Sequence, residues 1–156
     1  MTNTRGNDTV VVDSDALIGL INEKDDLHKR CLNVASYLAK NSFATVVPYP
    51  IILEAATTLA KDKTIRRPDL AKKLLRDYAK TENINIVCLS IKNDDNIAKL
   101  TAKLYTPRTS KKNSPFDFYV LAAAKKTGIG TVFSFDSFYS KNGLKLAEEL
   151  LEENRS

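Results

Sequence analysis

The chain has 156 residues, enough for one domain with a substantial core. A hydrophobic content of 43% with 28% charged residues excludes a disordered or fibrous chain and fits a soluble globular domain. No apolar run reaches the roughly 18 residues of a membrane span. The polar start lacks the apolar centre of a secretory leader, so a cytoplasmic location is expected. The formal charge of +5 admits a polyanionic partner without requiring one. Two cysteines, Cys31 and Cys88, stand apart in apolar surroundings and read as reduced core thiols. One histidine and two distant cysteines cannot easily build a zinc site.

In chain order, Val10–Asp13 is a short apolar strand without polar alternation, the pattern of a strand covered on both faces. Ala16–Ile21 continues as a short helix. Asp25 or Asp26 is placed to cap the next helix, whose Leu27, Cys31, Val34 and Leu38 share a face. Phe43–Val47 is a second strand, ended by Pro48 and Pro50, which open a helix carrying Ile51, Ile52, Ala55 and Leu59 inward. Pro68 starts another helix, with Leu70, Leu74, Leu75 and Tyr78 predicted to face the core. Ile84–Leu89 is a third strand, after which Ser90 or Asn93 caps a helix through Ile97, Leu100 and Leu104. The stretch "TPRTSKKN" (106–113) is a polar, basic loop. Ser114 opens a helix to about Lys126, Gly128 and Gly130 break it, and Thr131–Phe135 is a fourth strand. Leu144–Leu146 fits either an edge strand or the start of a final helix. No repeat or linker divides the chain, so 1–156 is expected to be one domain, with 1–8 and 150–156 as tails. Strand–helix alternation implies an α/β fold in three layers: a central parallel sheet of four to five strands with helices on both faces.

Such sheets bind ligands at the carboxyl ends of their strands, and that rule selects among the acids. Asp13 in "VVVDSDALI" ends the first strand, and Asp136 in "FSFDSFY" ends the fourth. Glu54 in "PIILEAATTL" and Asp117 in "SPFDFYVLAAA" interrupt apolar runs near helix starts. Each acid has a plain local explanation. Asp13 or Ser14 caps a helix; Glu54 borders an apolar stripe; Ser114, Pro115 and Asp117 make a capping-box-like start; Asp136 fits a turn. The functional expectation rests on the set, which the topology can gather at one sheet edge. Clustered carboxylates repel and take up protons unless a cation joins them. Hard cations such as Mg²⁺ and Mn²⁺ prefer such oxygens and activate water against a phosphodiester.

The ordered blocks "VVVDSDALI", "LEAATTLAK", "SPFDFYVLAAAKKTG" and "TVFSFDSFY" resemble those of PIN domains, over about Thr9 to Leu146. The resemblance maps the family's four acids onto Asp13, Glu54, Asp117 and Asp136, and its small hydroxyl residues onto Ser14 and Ser134. Asp15 departs from the pattern, since many members carry Asn or another small polar residue there. The resemblance implies a PIN-like fold and an Mg²⁺- or Mn²⁺-dependent endoribonuclease, with Asp13, Glu54, Asp117 and Asp136 as metal ligands and catalytic residues. Ser14, Asp15 and Ser134 then play supporting roles. In compact members it further implies a VapC-like toxin of a toxin–antitoxin pair, a homodimer inhibited by a small antitoxin protein. Arg108, Lys111 and Lys112, in the loop before Asp117, are candidate RNA contacts, and Arg66, Arg67, Lys72 and Lys73 a candidate RNA or partner surface. His28 reads as a surface or boundary residue.

Two alternatives stand beside this reading. "VVVDSDAL" also resembles the opening motif of haloacid-dehalogenase-type phosphatases, with Asp13 as nucleophile, Asp15 as general acid and "IKNDDN" (91–96) as a late acidic motif. That reading leaves Glu54 and Asp117 without roles. The other is a non-catalytic PIN-like module that binds RNA or protein.

Overall fold

The β-branched run at the start of the chain forms the centre of the sheet. In a computed structural model, β1 (Thr9–Val12) pairs in parallel with β2 (Ala44–Val46) on one side and β4 (Thr131–Phe133) on the other. Val10 and Val11 point to opposite faces and both are fully buried, so helices cover the sheet on both sides. β3 (Ile86–Val87) extends the sheet beyond β2, and β5 (Lys145–Leu146) extends it beyond β4. The five strands are parallel, in the order β3-β2-β1-β4-β5. The structure describes residues 8–79, 86–87 (backbone), 95–106 and 112–155. The flanks of the third strand, Cys88, the Ser90 and Asn93 caps, Asp94, Arg108 and Lys111 lie outside the described residues.

The chain first winds outward from β1 to β3, then returns past β1 to β4 and β5. The order reverses between β1 and β4, where an open α/β sheet leaves a crevice at its carboxyl edge. Register sets the two strands level there: Val12 lies opposite Phe133, and the Asp13 N–H donates to the Phe133 carbonyl at 3.0 Å.

The helices follow from apolar spacing. α1 (Ser14–Ile21) packs on α2 (His28–Lys40) and on α3 (Tyr49–Lys61). Cys31, Val34 and Leu38 of α2 are buried, as are Ile51, Ile52, Ala55 and Leu59 of α3. Gly19 of α1 is where α2 comes closest: a Cβ there would collide with the Cys31 Sγ. α4 (Pro68–Ala79) lies on α3. Its buried positions are Ala71 and Leu74, and Leu75 is exposed, contrary to the expected inward face. Leu75 sits one residue past Leu74, about 100° around the helix, so both cannot face one neighbour. α5 (Asp95–Leu104) packs on α6 (Pro115–Thr127) around a small cluster of Ile97, Ala122 and Ala123. α6 ends at Gly128, whose φ of 72° is the left-handed cap that glycine takes without strain.

Other boundaries shifted by a few residues. Neither Asp25 nor Asp26 caps α2; the N-cap is Leu27, and Asp25 Oδ1 instead accepts from the Leu27 N–H in the preceding turn. Both readings of Leu144–Leu146 hold in part, since β5 leads directly into α8 (Ala147–Glu153), which lies against α2 and β4. Residues 150–153 are therefore helical rather than tail. Among the described residues no helix is long and apolar enough to cross a membrane.

Candidate active site

Two strand-to-helix connections and the start of α6 (Pro115–Thr127) place acids at the carboxyl edge of β1 and β4. Asp13 follows β1 directly and is the N-cap of α1, its Oδ1 accepting from the Ser14 N–H at 2.7 Å. Asp136 follows β4 by three residues and caps α7 (Ser137–Lys141), accepting from the Phe138 N–H at 2.9 Å. Asp117 is the third residue of α6 and forms a capping box with Ser114, whose N–H donates to Asp117 Oδ2 at 2.9 Å. The local explanations drawn from sequence hold for Asp13 and Asp117, while Asp136, expected in a turn, is a helix cap as well. Two of the caps, Asp13 and Asp136, sit where neighbouring strands hand over to helices, on one edge of the sheet, while Asp117 comes to them from the start of α6, which follows α5. The positive ends of the α1 and α6 dipoles offset part of the charge.

Glu54 reaches the same place from α3. Asp117 and Asp15 are close enough to push its pKa up, after burial, which is the larger cause. Asp117 in turn feels Asp136, and Asp13 feels Asp15 and Asp117. The structure therefore brings Asp13, Glu54, Asp117 and Asp136 together, with Asp15 among them. Burial is the first cause of the raised pKa of Asp13, Asp15, Glu54 and Asp117, and repulsion from neighbouring carboxylates adds to it. Asp13, 3% exposed, is pushed up to about 8.

The donors around these acids are mostly neutral. Asp15 is tied on both oxygens. Oδ1 accepts from the Ala16 N–H at 2.8 Å, and Oδ2 accepts from the Ser134 hydroxyl at 3.0 Å and the Phe135 N–H at 2.8 Å. It works as a strut between the ends of β1 and β4. Ser134, buried, also accepts from the Asp136 N–H at 3.2 Å. Arg30 stacks on the Phe135 ring at 4.5 Å and is held by Glu148 of α8, which braces this end of β4 from outside. Two donors were not foreseen from sequence. Asn113 Nδ2 donates to Asp136 Oδ2 at 3.0 Å and to Asp117 Oδ2 at 3.2 Å. The Tyr139 hydroxyl donates to Asp13 Oδ2 at 2.6 Å. An Asn in a basic loop and a Tyr in an aromatic run carry no periodic signal that marks them as site residues.

One polar atom is left over. Glu54 Oε1 is buried without a hydrogen-bond partner among the described residues, although the Ser14 and Ser114 hydroxyls approach the carboxylate. An unpaired buried carboxylate oxygen costs free energy that a cation would recover. The donor set here is all oxygen, as hard divalent ions require. Among the described residues no three acidic, His or Cys side chains already form an ion cage.

A family model for the PIN domain matches residues 10–143. The chain belongs to the PIN domain family. A search of curated proteins gave no match. Among solved structures it is similar to the Mycobacterium tuberculosis toxin VapC20, described as cleaving the sarcin–ricin loop. The TM-score is 0.68 at 16% identity, over 86% of this chain and 95% of that one. At that identity the likeness speaks for the PIN fold alone. Family membership removes the phosphatase alternative, and the full tethering of Asp15 agrees, since a general acid needs an oxygen facing substrate.

Remaining candidates separate clearly. Lys112 is exposed beside the site loop. Arg67 is paired with Asp69 at 2.8 Å, far along the chain on the α3–α4 turn, and Arg66, Lys72 and Lys73 are exposed. His28 Nδ1 lies 2.6 Å from the Gly19 carbonyl, which only accepts, so the ring nitrogen donates and locks α2 to α1. Cys31 is buried as a free thiol, and burial pushes its pKa up to about 12.

Proposed function

We propose that this PIN-domain chain is a divalent-metal-dependent endoribonuclease. Asp13, Glu54, Asp117 and Asp136 are the residues that would hold one or two Mg²⁺ or Mn²⁺ ions. What supports this is the meeting of carboxylates from four separate segments around the unpaired Glu54 Oε1. When bound, the ion supplies positive charge for the phosphodiester and the leaving oxygen and lowers the pKa of the attacking water.

The rest of the work falls to the chain. Ser134 and Asp15 hold the end of β4 against the end of β1, fixing the distance between Asp136 and Asp13. The Ser14 hydroxyl orients Glu54. Lys112, with Arg108 and Lys111 of the same loop, attracts the RNA backbone, consistent with the +5 net charge. The toxin role, with a small antitoxin protein as partner, and a homodimeric state form the finer part of the proposal, favoured by the likeness to VapC20. A cytoplasmic location goes with it.

Incubating purified protein with structured RNA in chelator, then with added Mn²⁺, tests the reading. Internal cleavage should require the metal. RNA binding in chelator with no cleavage at any metal concentration would leave a PIN-like binding module instead.

A further inference from the structure

Tyr139 is fully buried, yet it carries a hydroxyl to the centre of the acid cluster. Its ring is held by a string of aromatic contacts. Tyr105 at the end of α5 meets Phe118 edge-on at 5.3 Å. Phe118 meets Phe138 at 5.0 Å, and Phe138 meets Tyr139 at 5.2 Å. Such packing leaves the phenol little freedom. α7, which bears it, is capped by Asp136. The single hydroxyl proton goes to Asp13 Oδ2, and the same group lies beside Asp117. One rigid phenol therefore touches the first acid, neighbours the third and is anchored three residues after the fourth.

We infer that Tyr139 is a positioning residue that fixes the plane of the Asp13 carboxylate through its 2.6 Å hydrogen bond and so readies Asp13 to bind a divalent cation. Without that bond only the Ser14 N–H on Oδ1 restrains the carboxylate, which can then turn further about its last torsion so that its ligand oxygen loses its aim. Hydrogen bonds to a ligand from outside the metal shell commonly set affinity by about ten- to a hundredfold. The inference rests on the nuclease reading above, because it assigns Asp13 to the cation.

Tyr139→Phe removes the hydroxyl and keeps the ring. Mn²⁺ affinity, measured by calorimetry on the RNA-free protein, should weaken by about tenfold or more. The Mn²⁺ concentration giving half-maximal cleavage should rise in parallel, with kcat recovering to within a few-fold at saturating metal. In an Asp13→Asn background the same change should have no further effect on Mn²⁺ affinity, because the group it positions is gone. Equal Mn²⁺ affinity in Tyr139→Phe and the parent would overturn the inference, as would a loss in kcat that saturating metal cannot restore. Failure of the unaltered protein to bind Mn²⁺ would instead sink the nuclease reading itself, and this inference with it. Should the phenylalanine variant fold poorly, the parent offers a second measurement. Mg²⁺ should perturb the ultraviolet absorption of a buried tyrosine, and the Asp13→Asn variant should lack that change. Mg²⁺ binding to the parent with no tyrosine perturbation would again refute the role.

Discussion

The carboxyl edge of the sheet and the turn between α3 and α4 treat the same residue type in opposite ways. At the turn, Asp69 lies in the open against the Arg67 guanidinium, whose hydrogen bonds hold its carboxyl down to about 2. Asp62 accepts from the Thr64 hydroxyl and N–H and is likewise held low. At the sheet edge, burial raises Asp13, Asp15, Glu54 and Asp117, and among the described residues none of the hydrogen bonds they accept comes from a cation. Acid at the turn is matched locally and has no use for a further partner. Acid at the edge is crowded, largely buried and, among the described residues, paired with neutral donors, which leaves negative charge for something from outside to balance.

Removing one charge from the crowded region gives the largest expected effect. Asp13→Asn should lower RNA cleavage on the order of a thousandfold, since ligand loss forfeits several kcal/mol of transition-state stabilisation. The amide keeps the shape of the carboxylate, so circular dichroism should be unchanged. Cleavage by a clean preparation at more than a tenth of the parent rate would show that the crowding has no catalytic purpose. Glu54→Gln should weaken Mn²⁺ binding measurably by calorimetry, because the oxygen now lacking a donor is the one best placed to gain from an ion.

How much of this contrast could be read without coordinates depends on what each residue signals. The strands were legible because Val10, Val11 and Val12 form an unbroken β-branched run. The edge to which the acids go followed from strand–helix alternation, through the rule for parallel sheets. Asp13 and Asp136 stood out at strand ends, and Glu54 and Asp117 because each interrupts an apolar stretch near a helix start. Asp15 was visible, but its task was not: the bonds to Ser134 and Phe135 span about 120 residues of chain, and no local pattern encodes them. Asn113 and Tyr139 stayed hidden for the same reason. Their identities are ordinary for a loop and for an aromatic core, and only the fold aims them at carboxylates. Leu75 misled because a continuous "KLLRDY" run offers two registers, and packing on α3 chose the one through Ala71 and Leu74.

Next in size is the pH dependence of stability. Below about pH 4, Asp13 is protonated in the folded and unfolded chains alike and carries no penalty. Between 3.8 and about 8, its ordinary and native values, the unfolded chain releases the proton that the folded chain keeps. Unfolding is therefore favoured increasingly as pH rises through that window. In chelator, Tm should fall from about pH 5 to pH 8, by about 5 °C or more. Asp13→Asn should flatten the fall, and Mn²⁺ should reduce it by binding the ionised native site. A parent Tm that holds steady across the window, or an equal slope in the variant, would remove the electrostatic distinction between the two regions.

The smallest effect belongs to the turn. Asp69→Asn breaks an exposed ion pair with Arg67, and water already screens that charge. Tm should move by no more than about 2 °C, and 1 M salt should erase the difference between parent and variant. Mn²⁺ affinity and cleavage should match the parent, because Arg67, freed of Asp69, lies among none of the groups that act on the edge carboxylates. The comparison is sharpest when Asp69→Asn and Asp117→Asn are assayed side by side. Both remove one negative charge from a chain of the same net charge, so any effect of overall charge on RNA binding is common to the two. Only the second takes the charge from a place where, among the described residues, no cation answers it. Equal losses of Mn²⁺ affinity in the two variants would mean that total charge, rather than crowding at the sheet edge, governs metal binding.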